Sequence, residues 1–184
     1  MINREEAFVL LKKYLRDDKL IKHSLAVEAI LIDMAKKLGK DKELWSVVGL
    51  LHDLDYEYTK REPEKHANLS TRILEGLLPE AGLNAIKAHN YTHTDYIPIT
   101  SIDKALISAD AVSGLIIATA LIIPSKKLSD VKIETLINKY KDNSFARGCN
   151  RSRIALCVDT GIEIDRFLAL SLNALQRISD SLGL

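Results

Sequence analysis

The chain has 184 residues, with 26 basic and 25 acidic side chains and a formal net charge of +1. This balance gives no global bias toward nucleic acid or an anionic membrane surface. The hydrophobic content of 47%, the charged content of 28% and the presence of only 8 Gly and 4 Pro exclude a low-complexity chain. We therefore expect one globular domain spanning residues 1–184, with a sizeable core.

Helical periodicity dominates the chain and strand-like alternation is nearly absent, which predicts an all-α domain of eight or nine helices. Asn3 with Glu6 and Thr100 with Asp103 form capping patterns at two predicted helix starts. Gly39 is a predicted stop. In chain order, the predicted helices cover about 3–15, 20–38, 41–53, 63–77, a segment ending near 89, 100–122, a segment capped by Ser129, 150–160 and 163–182.

Several segments bear on location. The first ten residues, MINREEAFVL, are too charged for a signal peptide, so we expect a cytoplasmic protein. The longest apolar stretch, residues 114–123, is shorter than the roughly 20 residues that span a bilayer, and we interpret it as a buried helix. Cys149 and Cys157 lack the spacing of a metal site and are expected to be reduced thiols.

Polar side chains lie on the apolar faces of five predicted helices. On a helical wheel, His23 shares its face with Val27 and Ile30, and Asp110 lies among Leu106 and Gly114. The full inward set is His23, His52, Asp53, His66, His89 and Asp110.

A single inward histidine is usually a satisfied core residue. Here four of the five histidines point inward together with two aspartates, and an unpaired buried carboxylate is costly. One shared cation would satisfy all of them. Imidazole with carboxylate favours Zn, Fe, Mn, Co or Ni, with Mg as a further candidate.

The pattern H…HD…D, made by His23, His52-Asp53 and Asp110, resembles the HD-domain superfamily of metal-dependent phosphohydrolases. The resemblance covers approximately residues 20–122, which correspond to the helical metal-binding core of the family. It implies that these four residues hold one metal ion. His66 and His89 match the additional histidines of the binuclear branch. The resemblance implies that they hold a second ion together with Asp53.

A narrower resemblance, to small predicted HD hydrolases, rests on the segments LLHDLDYEY, ADAVSGLIIATALI, PSKKL and KDNSFARGCNR. This narrower resemblance does not indicate a substrate. The chain lacks the Gly-Tyr-Pro motif of the cyclic-dinucleotide phosphodiesterases, and HDLD replaces their HDIGK-like run. The C-terminal helices, residues 129–182, are expected to cover the site.

Further candidates lie outside the ligand set. Asp55, two residues after Asp53, is expected at the mouth of the site as a general acid or a water-orienting group, and His93 is a candidate proton donor. Residues 122–153 contain eight basic and three acidic side chains. From this segment the resemblance favours four substrate-binding residues, namely Lys126, Lys127, Lys141 and Arg147.

The predicted function is hydrolysis of a phosphomonoester or nucleotide by a metal-activated water, with one or two divalent ions as cofactors. The expected partner is a small phosphorylated substrate, without nucleic acid or membrane, because the basic segment lacks interleaved aromatic residues. Two alternatives stay open. HD-domain di-iron oxygenases use the same ligand types, and a metal-stabilised regulatory module without catalysis would keep the same ligands.

Overall fold

The computed structural model describes residues 1–184 and consists of helices without a β-strand, which confirms the all-α prediction. Eight of the α-helices have seven residues or more, and the other four have four or five. The helices are α1 (Arg4–Tyr14), α2 (Asp18–Leu38), α3 (Lys42–Leu51), α4 (Tyr56–Thr59), α5 (Asn68–Leu74), α6 (Glu80–His89), α7 (Tyr91–Thr94), α8 (Ser101–Ile122), α9 (Ile133–Lys141), α10 (Arg151–Ala155), α11 (Ile164–Arg177) and α12 (Ser179–Leu182).

Local sequence signals set most helix ends. Both predicted capping boxes are present, at Asn3 and Thr100, and Gly39 ends α2 in the left-handed conformation with φ of 64°. Two predicted starts are wrong. Residues 63–67 form turns, so the fourth predicted helix begins only at Asn68. The Ser129 hydroxyl donates to the Asp130 carboxylate instead of capping a helix, and α9 begins four residues later.

The two longest helices, α2 and α8, organise the core. Helix α2 packs against α3, α8 and α11, and α8 packs against α2, α6 and α10. The contact between α2 and α3 is close because Gly49 lacks a side chain: a Cβ there would lie 2.9 Å from the Cα of Glu28. This close packing brings the carboxyl end of α3 beside the middle of α2.

Helix α8 contains the apolar stretch noted in the sequence. By length and composition it could cross a membrane, but 61% of its apolar window is buried within this fold. Leu121 and Ile122 at its end are about half exposed, at 50% and 52%. In this structure α8 is a core helix, and the interior position of Asp110 follows from its place in the middle of that helix.

Residues after α8 fold back over the core. Helix α10 packs against α8, and α11 packs against α2 and α9. Arg151 organises the turn before α10, because its guanidinium donates to six backbone carbonyls between Lys139 and Cys149. This turn fixes the entry of α10 and therefore the direction of the side chains that follow.

Candidate metal centre

Asp53 lies at the centre of a group of imidazole rings. Its Oδ1 is 3.3 Å from Nε2 of His52, 3.4 Å from Nε2 of His66 and 3.3 Å from Nε2 of His89. Its Oδ2 is 3.6 Å from Nε2 of His23. One carboxylate is thus surrounded by four histidine nitrogens.

These residues come from separate elements. His23 lies on the inward face of α2, and His89 is the last residue of α6. Helix α3 ends at Leu51, so the chain turns at His52 and both residues of the His-Asp pair reach the same point. His66 was predicted within a helix but lies in the turn before α5.

The ring hydrogen bonds set the tautomers. Nδ1 of His52 donates to the Gly49 carbonyl at 2.9 Å, and Nδ1 of His89 donates to the Ile86 carbonyl. A carbonyl only accepts, so Nδ1 of each ring carries a hydrogen, and Nε2 is the atom that faces the cluster. Nε2 of His52 is buried without a hydrogen-bond partner, and Nε2 of His89 lies 3.0 Å from Nε2 of His66. Two lone pairs at that distance require a proton or a metal ion between them.

The spacing fits a divalent transition metal. Metal bonds to His nitrogen and carboxylate oxygen are about 2.0–2.2 Å, so two ligands of one ion lie roughly 2.8–3.6 Å apart. Two groups have ligand atoms within 4.8 Å of one another: His23, His52 and Asp53, and Asp53, His66 and His89. Asp110 adjoins the first group, with Oδ1 3.2 Å from Nε2 of His23. The structure thus brings together all six predicted ligands, and their metal binding remains a prediction.

Burial and charge give the rings different protonation. Burial lowers the pKa of His52 to about 4, although nearby Asp53 opposes the shift. Burial also disfavours the charged form of His66, but hydrogen bonds to Asp53 and Asp55 outweigh it and raise the pKa of this ring to about 10. At pH 7 the ring of His52 is therefore neutral and can donate its Nε2 lone pair to a metal ion. The ring of His66 holds a proton that a metal ion would replace.

The prediction that Asp55 lies at the mouth of the site is wrong. Its side chain is fully buried, Oδ1 accepts from Nδ1 of His66 at 2.8 Å and Oδ2 accepts from the Ser70 amide at 2.8 Å. Both carboxylate oxygens are used in these hydrogen bonds behind the ring of His66, so Asp55 has no oxygen facing the cavity. It orients the histidine, as carboxylates that hydrogen-bond a metal-binding histidine do in metal sites.

The structure does not bring His93 to the site. Its ring is exposed, and Nδ1 lies 3.0 Å from both the Asn90 side-chain oxygen and the Thr92 hydroxyl. The four predicted substrate-binding residues are also exposed and line neither cavity at the cluster; they are Lys126, Lys127, Lys141 and Arg147.

Sequence analysis missed Arg153. This residue lines a cavity of about 340 Å³ at the ligand cluster, and its Nη2 donates to Oδ2 of Asp110 at 3.3 Å and to the His89 carbonyl. A signal was present in the sequence: Arg153 precedes Cys157 by four residues, a helical spacing that places both on one side, and the structure shows Cys157 to be buried. The remaining lining of the cavity includes Leu20, Tyr56 and Asn90.

Comparison with known families agrees with this geometry. The HD domain profile matches residues 20–115. This chain belongs to the HD-domain family. The match contains all six clustered ligand residues and ends before Arg153.

A curated relative, ribonuclease Y of Latilactobacillus sakei subsp. sakei (strain 23K), is 31% identical over 175 residues. The alignment covers 89% of this chain and 32% of the relative, so the chain spans about a third of that protein's length. No solved structure matches the chain. Because HD-domain proteins are mostly metal-dependent hydrolases, the comparisons support the hydrolase class in general.

Proposed function

We propose that this HD-domain protein is a metal-dependent phosphohydrolase that acts on a small phosphorylated molecule in the cytoplasm, with a phosphomonoester or nucleotide as substrate. The observation that carries the proposal is Asp53, a single carboxylate within 3.6 Å of four imidazole Nε2 atoms. Two groups of ligands share this carboxylate, which suits a pair of ions bridged by one residue.

The chain supplies the ligands and their orientation. His23, His52, Asp53 and Asp110 would hold one ion, and Asp53, His66 and His89 would hold the other. Bound metal supplies a water acidified toward neutral pH and positive charge for the phosphoryl oxygens. Asp55 holds the ring of His66, and the carbonyls of Gly49 and Ile86 hold the rings of His52 and His89. These contacts keep the Nε2 atoms directed at one point.

The first test is metal content. Freshly purified protein is analysed for Mn, Fe, Co, Ni, Zn and Mg, and is then saturated with Mn, Fe or Co and measured again. We expect two equivalents for the wild type and one for the protein with His66→Ala and His89→Ala together. Uptake of a single equivalent by the saturated wild type would contradict the binuclear arrangement.

The second test is turnover. Phosphate release is screened over phosphomonoesters and nucleotides with metal-loaded protein, with chelator-treated protein as the control. We expect release that depends on added metal. Absence of release from every phosphate ester by a protein with full metal content would refute the phosphohydrolase proposal.

A second candidate function is hydrolysis of a phosphodiester in RNA, favoured by the 31% identity to a protein named ribonuclease Y. The same metal chemistry serves monoesters and diesters. A labelled single-stranded RNA incubated with metal-loaded protein distinguishes the two functions. Metal-dependent cleavage of the RNA without release of phosphate from monoesters would favour this candidate and would overturn the prediction that the protein has no nucleic-acid partner.

A further inference from the structure

A second cavity, of about 430 Å³, adjoins the ligand cluster. The two cavities share His23, Asp110 and Arg153 as lining residues. These three side chains are the His, Asp and Arg members of its lining, which has no Lys or Glu, and all of them lie at the junction. The rest of the lining is uncharged and comes from α7, α8 and residues 148–150. The volume is within the range of pockets that bind small organic molecules.

Arg153 at the junction has unused donor capacity. Its Nη2 donates to Asp110 and to the His89 carbonyl, whereas its Nη1 has no hydrogen-bond partner and is accessible to solvent. An oxygen of a phosphoryl group beside the ligand cluster would accept from this donor, and a guanidinium is well suited to such a contact.

Tyr91 forms an aromatic wall of the second cavity, with the guanidinium carbon of Arg153 5.8 Å from its ring centroid. Gly114 and Gly148 contribute lining positions without a side chain. An aromatic wall with small neutral neighbours favours a flat uncharged group, whereas a second anionic group would lose its hydration without gaining a positive partner.

We propose that the second cavity is a subsite for the organic part of the substrate, an uncharged ring-bearing group no larger than a nucleoside, and that Arg153 binds a phosphoryl oxygen at the junction. The proposal rests on the proposed phosphohydrolase function for the position of the phosphoryl group. It narrows the substrate to a phosphate ester whose organic part is neutral.

The test measures binding without turnover. Three phosphonates are titrated into the Mn-loaded protein, residues 1–184, by isothermal titration calorimetry: methylphosphonate, benzylphosphonate and 4-carboxybenzylphosphonate. We expect benzylphosphonate to bind at least tenfold more tightly than methylphosphonate, and the added carboxylate to cancel most of that gain. Equal affinity of the methyl and benzyl compounds in the wild type would overturn the subsite.

Two variants test whether the second cavity is responsible for the tighter binding of benzylphosphonate. Tyr91→Ala removes the aromatic wall, and Gly148→Leu adds bulk at a position where a Cβ would meet no atom within 4 Å. Both should reduce the benzyl-to-methyl affinity ratio at least fivefold. Retention of the wild-type ratio by both variants would overturn the assignment of this cavity.

Arg153→Gln should weaken all three phosphonates by about tenfold or more, and Arg166→Gln, at an exposed position on α11, is the matched control. Unchanged methylphosphonate binding in Arg153→Gln would overturn the role of Arg153. The outcomes separate the two proposals: the expected binding pattern without hydrolysis of any phosphate ester refutes the function and supports the subsite, and hydrolysis with no benzyl preference does the reverse.

Discussion

Glu28 and Asp53 are both buried carboxylates, with 3% and 8% of their surface exposed, but their surroundings differ. Glu28 accepts from Arg4 at 2.7 and 2.9 Å and from the Ser46 hydroxyl at 2.6 Å. Its charge is balanced by a permanent cation from the protein. Asp53 is surrounded by imidazoles, of which His52 has a pKa lowered to about 4 by burial.

The difference shows how a buried charge can be assigned to structure or to chemistry. The carboxylate of Glu28 joins α1, α2 and α3 and leaves no donor or acceptor unused. Around Asp53 the buried Nε2 of His52 has no partner, and the Nε2 atoms of His66 and His89 face each other. The network at Glu28 is completed by the protein and stabilises the fold, whereas the network at Asp53 is one that a bound metal ion could complete.

The largest expected effect is at Asp53. Asp53→Asn keeps the shape of the side chain but removes the charge that both ions would share, so phosphate release from an aryl phosphate should fall at least about a hundredfold, or roughly 2.7 kcal/mol. His52→Gln should have a similar effect through one ion.

With chelator present, Asp53→Asn should have a lower melting temperature than the wild type, because it removes the carboxylate that pairs with the protonated ring of His66 in the metal-free site. Full metal content and full turnover in Asp53→Asn would mean that the His-Asp pair has a structural role.

The next largest effect should be on metal binding, when the carboxylate that orients the ring of His66 is changed. Asp55→Asn keeps the size of the side chain but weakens the contact with His66, and loss of such a contact costs about 10–100-fold in metal affinity. Competition with a fluorescent chelator measures this affinity. Asp159→Asn, at an exposed position, is the control. Wild-type affinity in Asp55→Asn would show that the carboxylate serves only the Ser70 amide.

Metal binding should release a proton from His66. The raised pKa of this ring, about 10, means that it is protonated below that pH in the metal-free protein. The affinity should therefore rise by up to about tenfold for each pH unit between 6.5 and 8.5. Calorimetry in two buffers of different ionisation enthalpy measures the proton count. Affinity that is independent of pH would show that His66 is neutral before metal binds.

At Glu28 the expected effect is on stability alone. Arg4→Ala leaves a buried carboxylate without its cation and should reduce the free energy of unfolding by about 1–3 kcal/mol. Metal content and turnover of the folded protein should stay at wild-type values. Urea denaturation at pH 7 measures the change, and loss of bound metal in folded Arg4→Ala would break the distinction between the two carboxylates.

The smallest effect should follow from Ser46→Ala. It removes one neutral donor to Glu28 and leaves both contacts with Arg4, so the free energy of unfolding should fall by about 0.5–1.5 kcal/mol. The same urea titration measures it. A loss larger than that of Arg4→Ala would show that the hydroxyl, and not the guanidinium, is the main partner of this carboxylate.

The cluster was accessible to sequence analysis because its ligands mostly lie on or at the end of regular helices. A 100° step places His23 and Asp110 on apolar faces, and the end of α3 at Leu51 explains the pairing of His52 with Asp53. The positions of Asp55 and His66 were predicted less well, because both residues lie in turns, where helical periodicity does not apply.

The roles of residues in the C-terminal segment were harder to predict for the same reason. Its eight basic residues look alike in sequence, and the interpretation favoured four exposed ones over Arg153. Which arginine reaches the cluster depends on the turn that Arg151 ties together and on the packing of α10 against α8. Sequence by itself determined most of the helices and the inward faces of His23 and Asp110, because these follow from local periodicity. Only the tertiary structure decided that Asp55 stands behind His66 and that Arg153 joins two cavities, because contacts between distant turns depend on how the helices pack.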